Sequence, residues 1–138
     1  MSGVYKDEKS DEWYFPADRY ILSETDSKGL ILYANDIFYE IAGYTSTELN
    51  GDPHNIVRHP DMPRIAFKGL WDDIQSKGFW SGIVKNRRKD GGYYWVHATV
   101  LRKVQSNGEV TYLSIRRVPE RSAVESCIKL YAELKSNE

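Results

Sequence analysis

An α+β fold, with a five-stranded antiparallel sheet, short helices on one face and a C-terminal helix, follows from three features of this sequence. Two short apolar runs, 20–22 and 30–34, flank a turn spelled Asp26-Ser27-Lys28-Gly29. Three longer runs, 79–88, 93–104 and 109–118, are joined by Lys89-Asp90-Gly91-Gly92 and Ser106-Asn107-Gly108, both hairpin signals. Between the two groups, apolar residues fall at helical spacing.

Residues 1–12 are polar and predict a loose lead-in. Trp13, Tyr14 and Phe15 arrive together and are expected to dock on the core. After the first two strands, Asn35 is a candidate N-cap for a helix carrying Ile37, Phe38, Ile41 and Ala42, which Gly43 ends. Thr45 and Glu48 have capping-box spacing, and Asn50-Gly51-Asp52-Pro53 breaks the short helix that follows. Residues 54–63, HNIVRHPDMP, read as a polar loop or short helix, with Asp61 able to cap the next element. Phe67, Leu70, Trp71 and Ile74 form one helical stripe that Gly78 closes. After the meander, Ser122 and Glu125 predict another capped helix, with Val124, Cys127, Ile128, Tyr131 and Leu134 on one apolar face.

The chain has 138 residues, enough for one domain that buries roughly 68% of its unfolded surface. Its 19 basic and 20 acidic residues give a net charge of −1, which argues against a nucleic-acid binder. The apolar runs are too short to span a membrane, and the N-terminus has no apolar signal core. A single cysteine, Cys127, excludes an internal disulfide and a cysteine-built metal site. A cytoplasmic domain is the expectation.

No glycine-rich phosphate loop, nucleophile elbow or HExxH pair is present, so nothing nominates an enzyme, a catalytic residue or a metal ligand. The loop with His54, Arg58, His59 and Asp61 is the unusual feature. Arginine offers a rigid fork of donors to phosphate or carboxylate, and histidine donates or accepts. A flat ring with a charged tail would suit such neighbours. The simpler alternative is an Arg58–Asp61 ion pair with Asp61 as a helix cap. On the first meander strand, alternation puts Trp80, Gly82, Val84 and Asn86 on one face and Ile83, Lys85 and Arg87 on the other. Gly82 leaves room for something flat, and the Asn86 amide could bond a ring's carbonyl and N–H edge. Arg87, Arg88 and Lys89 read as a solvated basic turn.

Asn35 opening a helix, Gly43-Tyr44 with Glu48-Leu49 and Gly51, and a meander ending in Ser114-Ile115-Arg116 resemble a PAS domain. HNIVRHPDMP, Trp71 and the segment 80–89, WSGIVKNRRK, more narrowly resemble the flavin-binding PAS domain of bacterial aerotaxis receptors. The likeness runs over residues 20–118 and the helix after it. It implies a lead-in at 1–19, a sensor at 20–118 and a connector helix at 119–138. It also implies noncovalent FAD whose redox state reports on electron transport. Arg58, His59 and Asp61 match the polar loop such domains need for FAD. Asn35, Trp80 and Asn86 match positions near the isoalloxazine ring, with His54 and Trp71 as further candidates. The implied partners are a chemoreceptor-type signalling domain, in the same or a partner chain, and a second PAS copy; a larger receptor could hold the domain at the inner face of the membrane. The chain stops short of any linker or signalling region, which implies an excised or a stand-alone sensor. The outer sheet face with Ile83, Lys85 and Arg87 is a candidate receiving surface, and the terminal helix a candidate route out. Alternatives are haem on His54 or His59, or a cofactor-free interaction module. A flavin–cysteine adduct is disfavoured, because Cys127 lies outside the expected pocket.

Overall fold

The computed structural model describes residues 3–138. Strands β3 (Ile21–Thr25) and β4 (Ile31–Ala34) pair around the Asp26 turn, where Asp26 Oδ1 accepts the backbone N–H groups of Lys28 and Leu30 at 2.9 and 3.0 Å. Helices α1 (Asp36–Ala42) and α2 (Ser46–Leu49), a 3-10 turn (His54–Val57) and α3 (Arg64–Lys77) follow. The meander is β5 (Phe79–Arg87), β6 (Tyr93–Val104) and β7 (Val110–Arg117), and α4 (Arg121–Ser136) closes the fold. The five strands are all antiparallel in the order β4-β3-β7-β6-β5, so the first hairpin docks on the last strand of the meander.

The core fills the space between the inner sheet face and α1, α2 and the 3-10 turn. Ile21, Ile37, Phe38, Ile41, Leu49 and Val96 are fully enclosed there. The Thr45 capping box forms as expected, with both reciprocal bonds. Two other caps do not. Pro63, not Asp61, occupies the α3 N-cap and Glu120 that of α4, neither with a side-chain bond, and Asp61 instead reaches Lys85 Nζ at 2.9 Å.

Of the expected loose lead-in at 1–12, residues 1 and 2 lie outside the described residues, and the rest is not loose. Strands β1 (Tyr5–Lys6) and β2 (Trp13–Tyr14) form a small antiparallel pair, and Phe15 is buried. The reason is Arg88, which sequence reading assigned to a solvated turn. Its guanidinium stacks 3.6 Å from the Trp13 ring, donates to the Ile41 and Glu40 carbonyls at 2.5 and 3.1 Å, and pairs with Asp90. It therefore satisfies the open carbonyls at the end of α1. The turn there needs Gly43 at φ 76°, and a Cβ at that position would come within 3.2 Å of Arg88 Nη2. Arg87, on the other side of the strand, donates to the Ile56 carbonyl at 3.3 Å.

Helix α4 lies on the outer sheet face. Val124 is buried, the Tyr131 hydroxyl donates to the Ile83 carbonyl at 2.6 Å, and the Tyr131 ring stacks on Trp95. Ile128, expected on the packed face, is 44% exposed. Ile83 is thus half-buried beneath α4, while Lys85 and Arg87 bond back across the β5 edge to Asp61 and Ile56. Those three residues do not form the free receiving surface expected of them. Among the described residues, no helix is long and apolar enough to cross a membrane.

Arg88→Ala should lower the unfolding free energy by about 2–4 kcal/mol, because it strips partners from buried carbonyls and unpins Trp13. Urea unfolding followed by tryptophan fluorescence checks this. A loss under about 0.5 kcal/mol would mean that Arg88 is a solvated side chain after all.

Candidate functional site

The inner sheet face is apolar in places and polar where the core stops. Alternation puts Val84, Asn86, Val96, Ala98, Ser114 and Arg116 on that face, and opposite them stand the 3-10 turn and α3. Between these layers lies a cavity of about 280 Å³. Phe67, Leu70, Trp71 and Ile74 of α3 form one wall, so the predicted helical stripe faces the cavity. Gly82, Ala98 and Arg116 are register partners across three strands, which leaves the floor shallow beside the arginine. A Cβ on Gly82 would come within 2.5 Å of Trp80 Cζ2. The room expected over Gly82 is therefore taken by the Trp80 indole itself, which lies across the strand.

Arg116 is 2% exposed, and no carboxylate lies within ion-pair reach of it among the described residues. Its Nη1 donates to His54 Nε2 at 2.8 Å, its Nη2 donates to Ser23 Oγ at 2.7 Å, and its Cζ sits 4.4 Å from the Phe38 ring centroid. Its Nε is buried with no partner. Burial draws the guanidinium down to about 10, so it stays charged at neutral pH. Because arginine only donates, His54 Nε2 must accept, which puts the ring proton on Nδ1. Desolvation in the cavity wall, then the charges of Arg116 and Arg58, hold His54 down to about 3, firmly neutral.

Arg58 is the second unusual cation. Its backbone forms an isolated bridge with Asn86 on the open edge of β5, its Cζ lies 3.6 Å from the Phe67 centroid, and its Nε is buried without a partner. Burial lowers its pKa as well. The Arg58–Phe67 stack lines both the cavity and a second, more open groove of about 530 Å³. That groove is edged by His59, Arg64, Arg87 and Lys135 and contains no acidic lining residue. The stack is the partition between the two spaces.

Of the eight residues singled out from sequence, His54, Arg58, Trp71, Trp80 and Asn86 meet in the cavity. Asn86 is 4% exposed there, and Trp71 stands at the mouth, edge-on to Tyr112 with ring centroids 5.2 Å apart. The other three lie elsewhere. Asn35 occupies the α1 N-cap as expected, but its side chain neither bonds the helix nor reaches the cavity; its amide staples β3, accepting from Leu22 N–H at 3.1 Å and donating to the Tyr20 carbonyl at 2.8 Å. His59 faces the groove, with Nδ1 accepting from Asp61 N–H at 3.0 Å, and burial followed by the Lys85 charge lowers its pKa. Asp61 is exposed and pairs with Lys85, which holds its carboxyl below the usual range; the Arg58–Asp61 pair does not form. Arg116 was overlooked, although strict alternation from Tyr112 through Ser114 would have put it inside.

The PAS fold family profile matches residues 31–116. The chain is 43% identical over 119 residues to the aerotaxis receptor of Escherichia coli (strain K12), covering 86% of this chain and 24% of that protein. It is 29% identical over 97 residues to the nitrogen fixation regulatory protein of Klebsiella oxytoca, covering 70% of this chain and 20% of that protein. The chain thus spans about a quarter or less of these relatives. Among solved structures, a light-oxygen-voltage domain studied with a flavin analogue superposes with a TM-score of 0.69 at 21% identity, over 83% of this chain and 89% of that one. A PAS domain from Colwellia psychrerythraea gives 0.66 at 22% identity, over 74% and 87%. These last two likenesses speak to the fold alone.

His54 is neutral when folded and charges when unfolded below about pH 6.5, so the unfolded chain binds one more proton. Stability should therefore fall as the pH drops from about 6.5 toward about 3. At pH 5 the His54 share of that loss is roughly 1–2 kcal/mol. Comparing urea unfolding of the wild type and His54→Asn at pH 7 and pH 5 isolates it. Equal pH dependence in the two proteins would contradict the buried neutral imidazole.

Proposed function

The chain belongs to the PAS fold family, and from that premise we propose that it is a redox-sensing domain that holds FAD noncovalently. The ring takes the enclosed cavity, the phosphate tail takes the basic groove, and the reading is relayed to a signalling partner in the same or a partner chain. The observation that carries this is a pair of arginines in the cavity lining, Arg116 and Arg58, each with its Nε buried without a partner. A charge buried without a counter-charge is costly, and an acceptor-rich ring edge supplies what both arginines lack. The shallow floor at Ala98, with the Trp80 indole lying over Gly82 beside it, suits a planar tricycle. A cavity of about 280 Å³ sits near the lower bound of ligand pockets, so a whole dinucleotide must extend beyond it. The adjoining cationic groove is what favours FAD over a shorter flavin. The 43% identity to an aerotaxis receptor supports the sensory role.

When bound, a flavin supplies reversible electron uptake, with negative charge or a proton added to its ring. This chain's residues would respond to that change in distinct ways. Arg116 would favour a more negative ring, because it brings a full charge into a dry site. Asn86 offers an amide that can turn to exchange donor for acceptor. Arg58 would hold the ring–tail junction. A partner that prefers one redox state by ~1–3 kcal/mol would complete the switch.

Haem fits less well. His54 Nε2 already accepts from Arg116 and faces its charge, and His59 lies in the outer groove. A flavin–cysteine adduct lacks its thiol, since the one cysteine sits on α4 beside Tyr131 on the outer face. A cofactor-free module would leave Arg58 and Arg116 in the cavity lining without a counter-charge among the described residues.

Purified protein should show flavin absorbance, and chromatography of the released cofactor should identify FAD. Arg58→Ala should keep its fold and lose roughly tenfold to more than a hundredfold in FAD affinity. Protein that stays colourless after incubation with FAD and with FMN, or that shows a haem band, would overturn the proposal.

A further inference from the structure

Two cations that line the basic groove, Arg64 and Lys135, are held from beside it by one carboxylate. Glu138, just past α4, accepts the backbone N–H of Arg64 at 2.5 Å through Oε2 and Arg64 Nε–H at 3.2 Å through Oε1. Lys135 Nζ lies 3.3 Å from the same Oε1. Two groups at the groove, Arg64 and Lys135, are therefore engaged by one side chain through exposed ion pairs. A carboxylate held by a guanidinium, an ammonium and a backbone N–H uses the same donors that a phosphate would. The rest of α4 is anchored independently and earlier, by Arg121 to Glu12 at 3.0 Å, by buried Val124 and by Tyr131 to Ile83. The end of α4 is tied down only through Glu138 and Lys135 among the contacts described.

We propose that Glu138 is a stand-in for the ligand's phosphates: a diphosphate entering the groove takes Arg64 and Lys135 from Glu138 and so frees or re-seats the last turn of α4. The proposal rests on the groove taking the FAD tail, and it makes α4 a reader of occupancy as well as a connector. Exposed ion pairs are weak and screened by salt, so a multiply charged tail can outcompete one carboxylate. By reciprocity, whatever pulls the end of α4 away from the groove strengthens binding of the tail.

The test compares FAD, riboflavin and ADP on the full 138-residue chain. Dissociation constants come from fluorescence titration for the flavins and calorimetry for ADP, and amide exchange is followed over residues 130–138. Glu138→Gln should tighten FAD roughly two- to fivefold and Lys135→Ala should weaken it by a similar factor. Riboflavin, which has the ring without phosphates, should bind all three proteins alike. ADP alone should speed exchange at the end of α4 in the wild type and not in Glu138→Gln, whose end is already loosened. FAD affinities that ignore both substitutions, riboflavin shifting in parallel with FAD, or exchange at 130–138 unmoved by ADP would each overturn the proposal. Failure of every flavin to bind would sink the flavin reading instead, and the ADP titration and exchange would still decide the role of Glu138.

Discussion

The site is organised by one guanidinium with no counter-ion. Arg116 projects from the inner face of β7 into the layer between sheet and helices, where a charge is costly unless something compensates it. Partial compensation comes from Ser23 on β3, from the Phe38 ring on α1 and from the lone pair of His54 at the start of the 3-10 turn. Each of these belongs to a different element, so the arginine fixes the relative placement of β3, α1 and the 54–57 turn. None of them carries negative charge. What remains is a cavity whose wall carries a buried cation without a counter-charge, and the proposed flavin reading rests on that imbalance.

The second constraint is the open edge of β5. A nine-residue edge strand would invite pairing with another chain. Here the 58–62 segment runs beside it instead, through the Arg58–Asn86 bridge, the Lys85–Asp61 pair and the contact of Lys85 N–H with Met62 Sδ. Covering the edge is also what brings Arg58 to the cavity and His59 to the groove. One stretch of chain thus protects the sheet and builds the partition between two binding spaces. On the opposite face, α4 packs over Ile83 and Trp95 and ends back at the groove, so cavity, groove and α4 meet around a single strand.

Much of this was legible in the residues, because turn chemistry is local. The Asp26, Asp90 and Asn107 turns and the closing glycines 43 and 78 bounded nearly every element correctly. The phase of β5 was legible too, which put Trp80 and Asn86 in the cavity. Long-range contacts were not. Arg88 looked solvated because its partners, Trp13 and the carbonyls of α1, are distant in sequence. Asn35 stands at the expected N-cap, yet its amide is spent on Leu22 and Tyr20 rather than on the helix or the cavity. Asp61 looked like the partner of Arg58 until β5 supplied Lys85 nearer by. Arg116 was hidden by an inverted pattern. On β7 the apolar Leu113 and Ile115 face outward while Ser114 and Arg116 face in, because the inner face there borders the cavity rather than the core.

The measurement that tests the account most directly is unfolding free energy with and without saturating FAD, for the wild type and Arg116→Met. Replacing a buried, uncompensated cation by an apolar side chain of similar length removes its desolvation cost but orphans Ser23 Oγ and His54 Nε2, so the cofactor-free protein should lose no more than about 1–2 kcal/mol. The same change should remove most of the stabilisation that FAD confers on the wild type, which is about 2.7 kcal/mol at a hundredfold excess over the dissociation constant. A cofactor-free variant weakened by several kcal/mol that still gains the full stabilisation from FAD would show that Arg116 serves the fold and not the ligand.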